Sequence, residues 1–302
     1  MIQSSSAAVI DLGTNSIKFI LAEKTSENTP HILHEETAEV RIGSGIGQSS
    51  PRLEESAIER VCDTIVSLIQ TKERYRIEPL RIVATSAARE AENSNRLRET
   101  IKAKTGVQLE ILSGESEAYY IGQAIQMNAK YQKIGTLNSI DLGGGSLEWI
   151  HLNNNHVEKA LSLPLGAVRI TEQFIKEPAQ AISKDMILTI ENHVRNILSK
   201  NEIILSAQCP LLGSGGAFHI LKQVLKKASP FALKDIQELA LASAHLPIQG
   251  RIDDLNIPAK RADIIPAALI TIATFMNHFD IDQIEHSKCS LKIGILKEML
   301  GL

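Results

Sequence analysis

The chain has 302 residues, which at roughly 150 per domain predicts two domains, and its 43% hydrophobic and 22% charged content is that of a globular protein rather than a disordered, collagenous or coiled-coil one. With 32 Lys and Arg against 35 Asp and Glu the net charge is −3, so no overall positive field gathers nucleic acid or anionic lipid, and any polyanion must be held locally. No apolar run reaches the ~18 residues of a membrane span, MIQSSSAAVIDLG has no basic stretch followed by an apolar core, and Cys62, Cys209 and Cys289 have no paired or zinc-like spacing, so a cytoplasmic protein without disulfides, zinc or a membrane partner is expected.

In chain order, apolar runs at 7–12 and 17–22, separated by Gly-Thr-Asn-Ser, predict two strands joined by a hairpin. Apolar residues at helical spacing predict an amphipathic helix over 53–69. A strand at 80–84, a helix at 93–104 ended by Gly106, a strand at 107–112 and a helix at 115–127 follow. A polar stretch at 128–135 marks the expected boundary between a first domain, 1–128 joined by about 291–302, and a second, 129–290. The second half then restarts, with strands at 136–142 and 147–152 and a third at 156–161. The remainder reads as helices at 183–200, 218–227, 234–244, 262–278 and 291–300, with short strands at 211–212 and 283–285.

Asp11-Leu12-Gly13-Thr14-Asn15-Ser16 and Asp141-Leu142-Gly143-Gly144-Gly145-Ser146 are one turn repeated 130 positions apart, which predicts two homologous α/β halves. Glycine lets the backbone approach an anion closely, and Thr14, Asn15, Ser16 and Ser146 add side-chain donors. The aspartates cannot bind phosphate directly; they suit a divalent cation, with Mg²⁺ preferred because it is shared between carboxylates and substrate phosphates. Two such loops across a cleft would clamp a phosphorylated ligand. Gly213-Ser214-Gly215-Gly216, between a strand and a helix, is a weaker anion-binding signal. No GxxxxGK[ST] occurs, and no GxGxxG opens a helix after a strand. Arg89 follows the strand at 80–84, at the strand end where α/β folds place ligands, and a guanidinium there suits phosphate.

AVIDLGTNSIK (Ala8–Lys18), RIGSGIG (Arg41–Gly47), ATSAAREA (Ala84–Ala91), ILSGESEA (Ile111–Ala118) and SIDLGGGSLEWI (Ser139–Ile150) occur in order, followed by SLPLGAVRITEQF (Ser162–Phe174), GSGGA (Gly213–Ala217) and RADIIPAALI (Arg261–Ile270). With these the chain resembles the exopolyphosphatase/guanosine pentaphosphate phosphohydrolase (Ppx/GppA) family of the actin-like, sugar-kinase and Hsp70 superfold. The resemblance implies two ribonuclease-H-like α/β domains with an interdomain cleft, in the short two-domain form without an added helical domain. It also implies Glu117 as general base, Asp141 and Glu148 as ligands of Mg²⁺ (or Mn²⁺), and Asp11 as a second metal or water-network residue. Thr14, Asn15, Ser16, Arg89, Gly143, Gly144, Gly145 and Ser146 would cradle phosphates, with Ser214, Gly215 and Gly216 completing the wall. Near the C-terminus the family's SDRGLREG is replaced by Ser287–Gly294, SKCSLKIG, which loses local charges.

The expected activity is that of an exopolyphosphatase, releasing orthophosphate from inorganic polyphosphate. The alternatives are a 5′-phosphohydrolase of guanosine pentaphosphate (pppGpp) and a non-catalytic regulator that binds polyphosphate or guanosine penta/tetraphosphate; a sugar kinase ranks lower. A homodimer is expected from the family alone. Between Lys72 and Lys104 nine basic residues face five acidic ones, a surplus of 9 − 5 = 4 that suits a polyphosphate track or, equally, a solvated helix face.

Overall fold

The computed structural model describes residues 5–27, 29–205 and 209–302. Its contacts divide the chain into two compact units, Met1–Lys133 with Cys289–Leu302, and Ile134–Lys288.

In the first unit, β1 (Ser6–Leu12) and β2 (Ser16–Lys24) are near-continuous apolar runs because the sheet is covered on both faces, and only Ser6, Lys18, Glu23 and Lys24 are not buried. β3 (Pro30–Glu39), which the hydrophobic pattern does not predict, extends this antiparallel meander at the sheet edge. The long helix α1 (Glu55–Tyr75) crosses over to β4 (Leu80–Ala84), which pairs parallel with β1; α2 (Ser86–Glu90), α3 (Ser94–Thr105), β5 (Leu109–Ile111) and α4 (Gly114–Met127) follow. The strand order is β3-β2-β1-β4-β5.

The second unit repeats that plan. An antiparallel meander of β6 (Thr136–Leu142), β7 (Leu147–Asn153) and β8 (His156–Leu163) is followed by α5 (Ala167–Phe174) and α6 (Lys184–Ser199). Next, β9 (Leu211–Gly215) pairs parallel with β6 and leads into α7 (Gly216–Leu225). β10 (Phe231–Ala232), α8 (Leu233–His245), α9 (Ile248–Asp253), α10 (Ile265–His278) and β11 (Gln283–His286) complete a sheet ordered β10-β11-β9-β6-β7-β8. Residues Ile265 to Met276 of α10 are buried without a break, which makes this helix the core around which α5, α6, α7 and α8 pack. Arg251, fully buried, donates to the carbonyls of Ser243, Pro178, Ala262 and Gln180, so a charge without a carboxylate partner among those contacts is satisfied by backbone dipoles.

The last helix, α11 (Leu291–Leu300), packs on α4 and β1 of the first unit. A Cβ on Gly294 would lie 1.8 Å from the Tyr120 carbonyl oxygen, so glycine alone permits this helix crossing. The Tyr120 hydroxyl and Arg81 both bond Glu298 at 2.9 Å, closing the packing with charge. Among the described residues no helix is long and apolar enough to cross a membrane.

Candidate active site

In the first unit the turn after β1 closes with the Gly13 amide donating to the Ser16 carbonyl at 3.0 Å. The Thr14 and Asn15 carbonyls do not face outwards. They accept from the amides of Gly43 and Arg41, each at 2.9 Å, and Arg41 Nε also donates to Asn15 Oδ1 at 3.0 Å. Gly43 comes so close that a Cβ there would lie 2.2 Å from the Thr14 methyl. Thr14, Asn15 and Ser16 are all buried, and Asn15 Nδ2 has no hydrogen-bond partner among the described residues. A buried donor in that state suits an incoming anion, because the cost of leaving it unpaired is recovered on binding.

Asp11 lies opposite Lys18 in the β1–β2 register, with Nζ 3.8 Å from the carboxylate. Burial pushes the Asp11 carboxyl above its ordinary value, and Lys18 and Lys292 pull it back towards the charged form. Lys292, in the segment that departs from SDRGLREG, is buried and ion-paired to Glu35, so this segment keeps a charge link.

α2 starts where the Thr85 amide reaches the Leu12 carbonyl, which places Arg89 beside the start of α4. Arg89 Nη1 donates to the Leu112 carbonyl at 3.0 Å and to Glu117 Oε2 at 3.1 Å. Glu117 is 8% exposed in the first turn of a helix capped by Ser113, whose hydroxyl accepts from the Ser116 amide. The fold therefore brings Arg89 and Glu117 together. The basic stretch is less available than its composition suggests: Arg81, Arg89, Arg96 and Lys104 pair with Glu110, Glu117, Glu55 and Asp63, four acids outside it against a surplus of four.

In the second unit the same turn recurs, with the Gly143 amide donating to the Ser146 carbonyl at 3.0 Å. Here the start of α5 ties back the loop. The amides of Ala167 and Val168 reach the carbonyls of Gly143 and Gly144 at 3.0 and 2.8 Å, and Arg169 Nε reaches the Gly145 carbonyl at 2.7 Å. With their carbonyls so engaged, the peptide units of Gly144 and Gly145 can turn N–H groups towards an anion. A Cβ on Gly166 would lie 2.3 Å from Gly145 and 2.4 Å from Gly144 backbone atoms, so the contact excludes any side chain.

Asp141 and Glu148 are direct cross-strand partners on β6 and β7, Ser214 lies beside Asp141 on β9, and Ser162 lies beside Glu148 on β8. Ser162 Oγ donates to Glu148 Oε1 at 2.8 Å. Both carboxylates are buried, Glu148 to 1% exposure. Ser214 and Gly215 belong to the strand itself, which runs past the predicted end at 212, and α7 begins at Gly216. Gly215 has φ +104°, and a Cβ there would lie 2.9 Å from Asp141 Oδ1, so this backbone lines the carboxylate. Gly216 is packed under the Arg261 guanidinium. No group of three or more His, Cys, Asp or Glu suited to a metal occurs among the described residues. Two adjacent hard oxygen donors fit a cation such as Mg²⁺, which draws its other ligands from water and substrate.

The sequence motifs identify the turn residues but not what holds them. Arg41 and Gly43 in one unit, and Ser162, Gly166 and Arg169 in the other, lie in quoted motifs without an assigned role. Their signal was the pairing of each turn with a distant glycine-containing segment.

The model of the Ppx/GppA phosphatase family matches residues 20–302. A Fusobacterium nucleatum protein named bifunctional 3-dehydroquinate synthase/phosphatase is 26% identical over 306 residues, 96% of this chain but 46% of that protein, so the chain spans less than half of that relative. Exopolyphosphatase 1 of Mycobacterium tuberculosis is 24% identical over 304 residues, 97% of this chain and 87% of that one. The crystal structure of an exopolyphosphatase from Cytophaga hutchinsonii superposes with a TM-score of 0.86 at 24% identity, covering 98% of each chain. The fold is that of the actin-like, ribonuclease-H-like proteins, with two α/β units of mixed sheets.

Proposed function

The chain belongs to the Ppx/GppA phosphatase family, and from that premise we propose that it is a metal-dependent exopolyphosphatase, hydrolysing the terminal phosphoanhydride of inorganic polyphosphate. The observation that carries the reading is the buried cross-strand pair Asp141 and Glu148 beside a glycine turn whose carbonyls are tied back. Two neighbouring carboxylates repel each other unless a cation lies between them, and a loop with its carbonyls occupied presents amides to phosphate.

Water attacks the terminal phosphorus, the bridging P–O bond breaks, and orthophosphate leaves the shortened chain. Glu117 accepts the water proton, and Arg89, which orients Glu117, is also within the chemistry of gripping a phosphate oxygen. Thr14, Asn15 and Ser16 in the first unit and the Gly143–Ser146 turn in the second are each suited to hold phosphate oxygens, while Ser214, Gly215 and Gly216 line Asp141. When bound to Asp141 and Glu148, Mg²⁺ or Mn²⁺ supplies charge neutralisation at the phosphoryl oxygens. Asp11, matched with lysines rather than with a second carboxylate, serves the water and phosphate network and is the weaker cation ligand.

Phosphate release by the purified protein with Mg²⁺, from long-chain polyphosphate and from pppGpp in parallel, tests the reading. Polyphosphate is expected to be the faster substrate. Preferential turnover of pppGpp would transfer the same chemistry to the nucleotide, and binding without turnover of either would leave a regulator. Glu117→Ala should lower the rate by ~10²–10⁴-fold, the span of general-base catalysis, while leaving polyphosphate binding largely intact; an unchanged rate removes Glu117 from the mechanism.

A further inference from the structure

Glu148 is taken out of water almost completely, and a carboxylate so placed needs donors to hold one rotamer. Its neighbour on β8, Ser162, lies in register with it and donates its hydroxyl to Oε1 at 2.8 Å. A hydroxyl orients a carboxylate without cancelling its charge, whereas a lysine in the same place would neutralise it. In the first unit the residue matching Glu148 is itself a lysine, Lys18, and the one matching Ser162 is Thr37.

The same short segment performs a second alignment. Four residues after Ser162, Gly166 lies against the Gly144 and Gly145 backbone, and the amides of Ala167 and Val168 hold the carbonyls of the turn. The carboxylate and the glycine turn are thus held by one stretch of chain, with their separation fixed by the strand end of β8 and the start of α5.

We propose that Ser162 is a positioning residue for the cation, locking Glu148 through Oε1 so that Asp141 and Glu148 meet the metal as a preformed pair. The inference rests on the reading of Asp141 and Glu148 as cation ligands. It places no part of Ser162 on the substrate. Ser162 is partly exposed on an edge strand, so its replacement by alanine removes a hydroxyl without opening the core.

The test is a titration of the intact protein with Mn²⁺ alone, bound ion being counted by electron paramagnetic resonance, for wild type, Ser162→Ala, Ser162→Thr and Glu148→Gln. Removal of a partner that orients a metal ligand typically costs 10–100-fold in affinity, so Ser162→Ala should bind Mn²⁺ at least ~10-fold more weakly. Ser162→Thr, which keeps the hydroxyl, should bind close to wild type, and phosphate release by Ser162→Ala should recover as Mn²⁺ is raised. If Glu148→Gln loses Mn²⁺ and Ser162→Ala does not, the positioning role is overturned while the metal reading stands. If Glu148→Gln binds Mn²⁺ like wild type, the metal reading itself fails and takes the inference with it. A melting temperature unchanged in Ser162→Ala, with weakened Mn²⁺ binding, separates positioning from a loss of fold.

Discussion

The two units carry the same turn in the same geometry, yet their central strands present different chemistry beside it. Across the first sheet one register row reads Val83, Asp11, Lys18 and Thr37; across the second the matching row reads Ser214, Asp141, Glu148 and Ser162. Directly opposed residues on neighbouring strands share a face, so each row is a strip of neighbouring side chains on one face of its sheet. In the first strip a cation of the chain itself answers the aspartate. In the second a glutamate does, which sets two hard oxygen donors side by side. What the repeat conserves is the backbone device, a turn whose carbonyls are tied back by a distant segment with an arginine and a close-packed glycine. The residue facing the aspartate sets the two devices apart, and on the proposed reading it decides which of them accompanies a metal.

The largest expected effect breaks this contrast at its centre. Asp141→Asn should weaken Mn²⁺ binding and lower phosphate release by more than ~100-fold, because a ligand that is itself removed costs more than one that loses its support. Asp11→Asn should weaken Mn²⁺ binding far less than Asp141→Asn does, even where the rate falls. Equal losses of metal binding in the two variants would show that the strips are equivalent and that the lysines do not satisfy Asp11.

A second comparison sharpens the role of the glycines. In Gly166→Ala the new methyl meets backbone at 2.3–2.4 Å, and a backbone held by three hydrogen bonds cannot move aside. In Gly43→Ala it meets the Thr14 methyl at 2.2 Å, a side-chain atom that a change of rotamer can displace. Overpacking typically costs 1–3 kcal/mol, so Gly166→Ala is expected near ~3 kcal/mol of stability and Gly43→Ala near ~1 kcal/mol. Chemical denaturation of both proteins measures the difference, and Gly43→Ala proving the more harmful would reverse the ranking.

How much of this was legible depended on whether the cause was local. β1, β2, β6 and β7 are largely apolar, β1 and β6 closing on Asp-Leu-Gly, and burial on both faces leaves that mark in any sequence. β3 left none: PHILHEETAE sits at an edge, held by its backbone pairing with β2, and so tolerates His31, His34, Glu35, Glu36 and Glu39. α5 was equally hidden, because its first amides are satisfied by the carbonyls of Gly143 and Gly144, more than twenty positions earlier, instead of by a local capping residue. Turn length was a signal that sequence reading left unused. A four-residue hairpin after Leu12 or Leu142 puts Asp11 opposite Lys18 and Asp141 opposite Glu148 by counting alone. Ser162 was beyond reach, since the β7–β8 register shifts between His151 and Leu152.

The smallest expected effect concerns acid, to which one buried group in each unit responds with opposite sign. In the second unit the His286 ring stacks on Phe218, meets His219 edge-on at 4.9 Å, and has Nε2 buried without a hydrogen-bond partner among the described residues. Burial first, then His219, Lys222 and Lys288, lower its pKa from 6.5 to about 4. Between those values the unfolded chain takes a proton that the folded unit refuses, so stability present above pH 6.5 is lost as pH falls towards about 4. Asp11 in the first unit runs the other way: burial raises its carboxyl, so its contribution is present at low pH and lost as pH rises through the folded value. His286→Phe keeps the aromatic packing and removes the titrating nitrogen. It should narrow the drop in melting temperature between pH 7 and pH 5, whereas Asp11→Asn should leave that drop in place. A His286→Phe protein with the same drop as wild type would mean that the acid sensitivity of the second unit lies in another group.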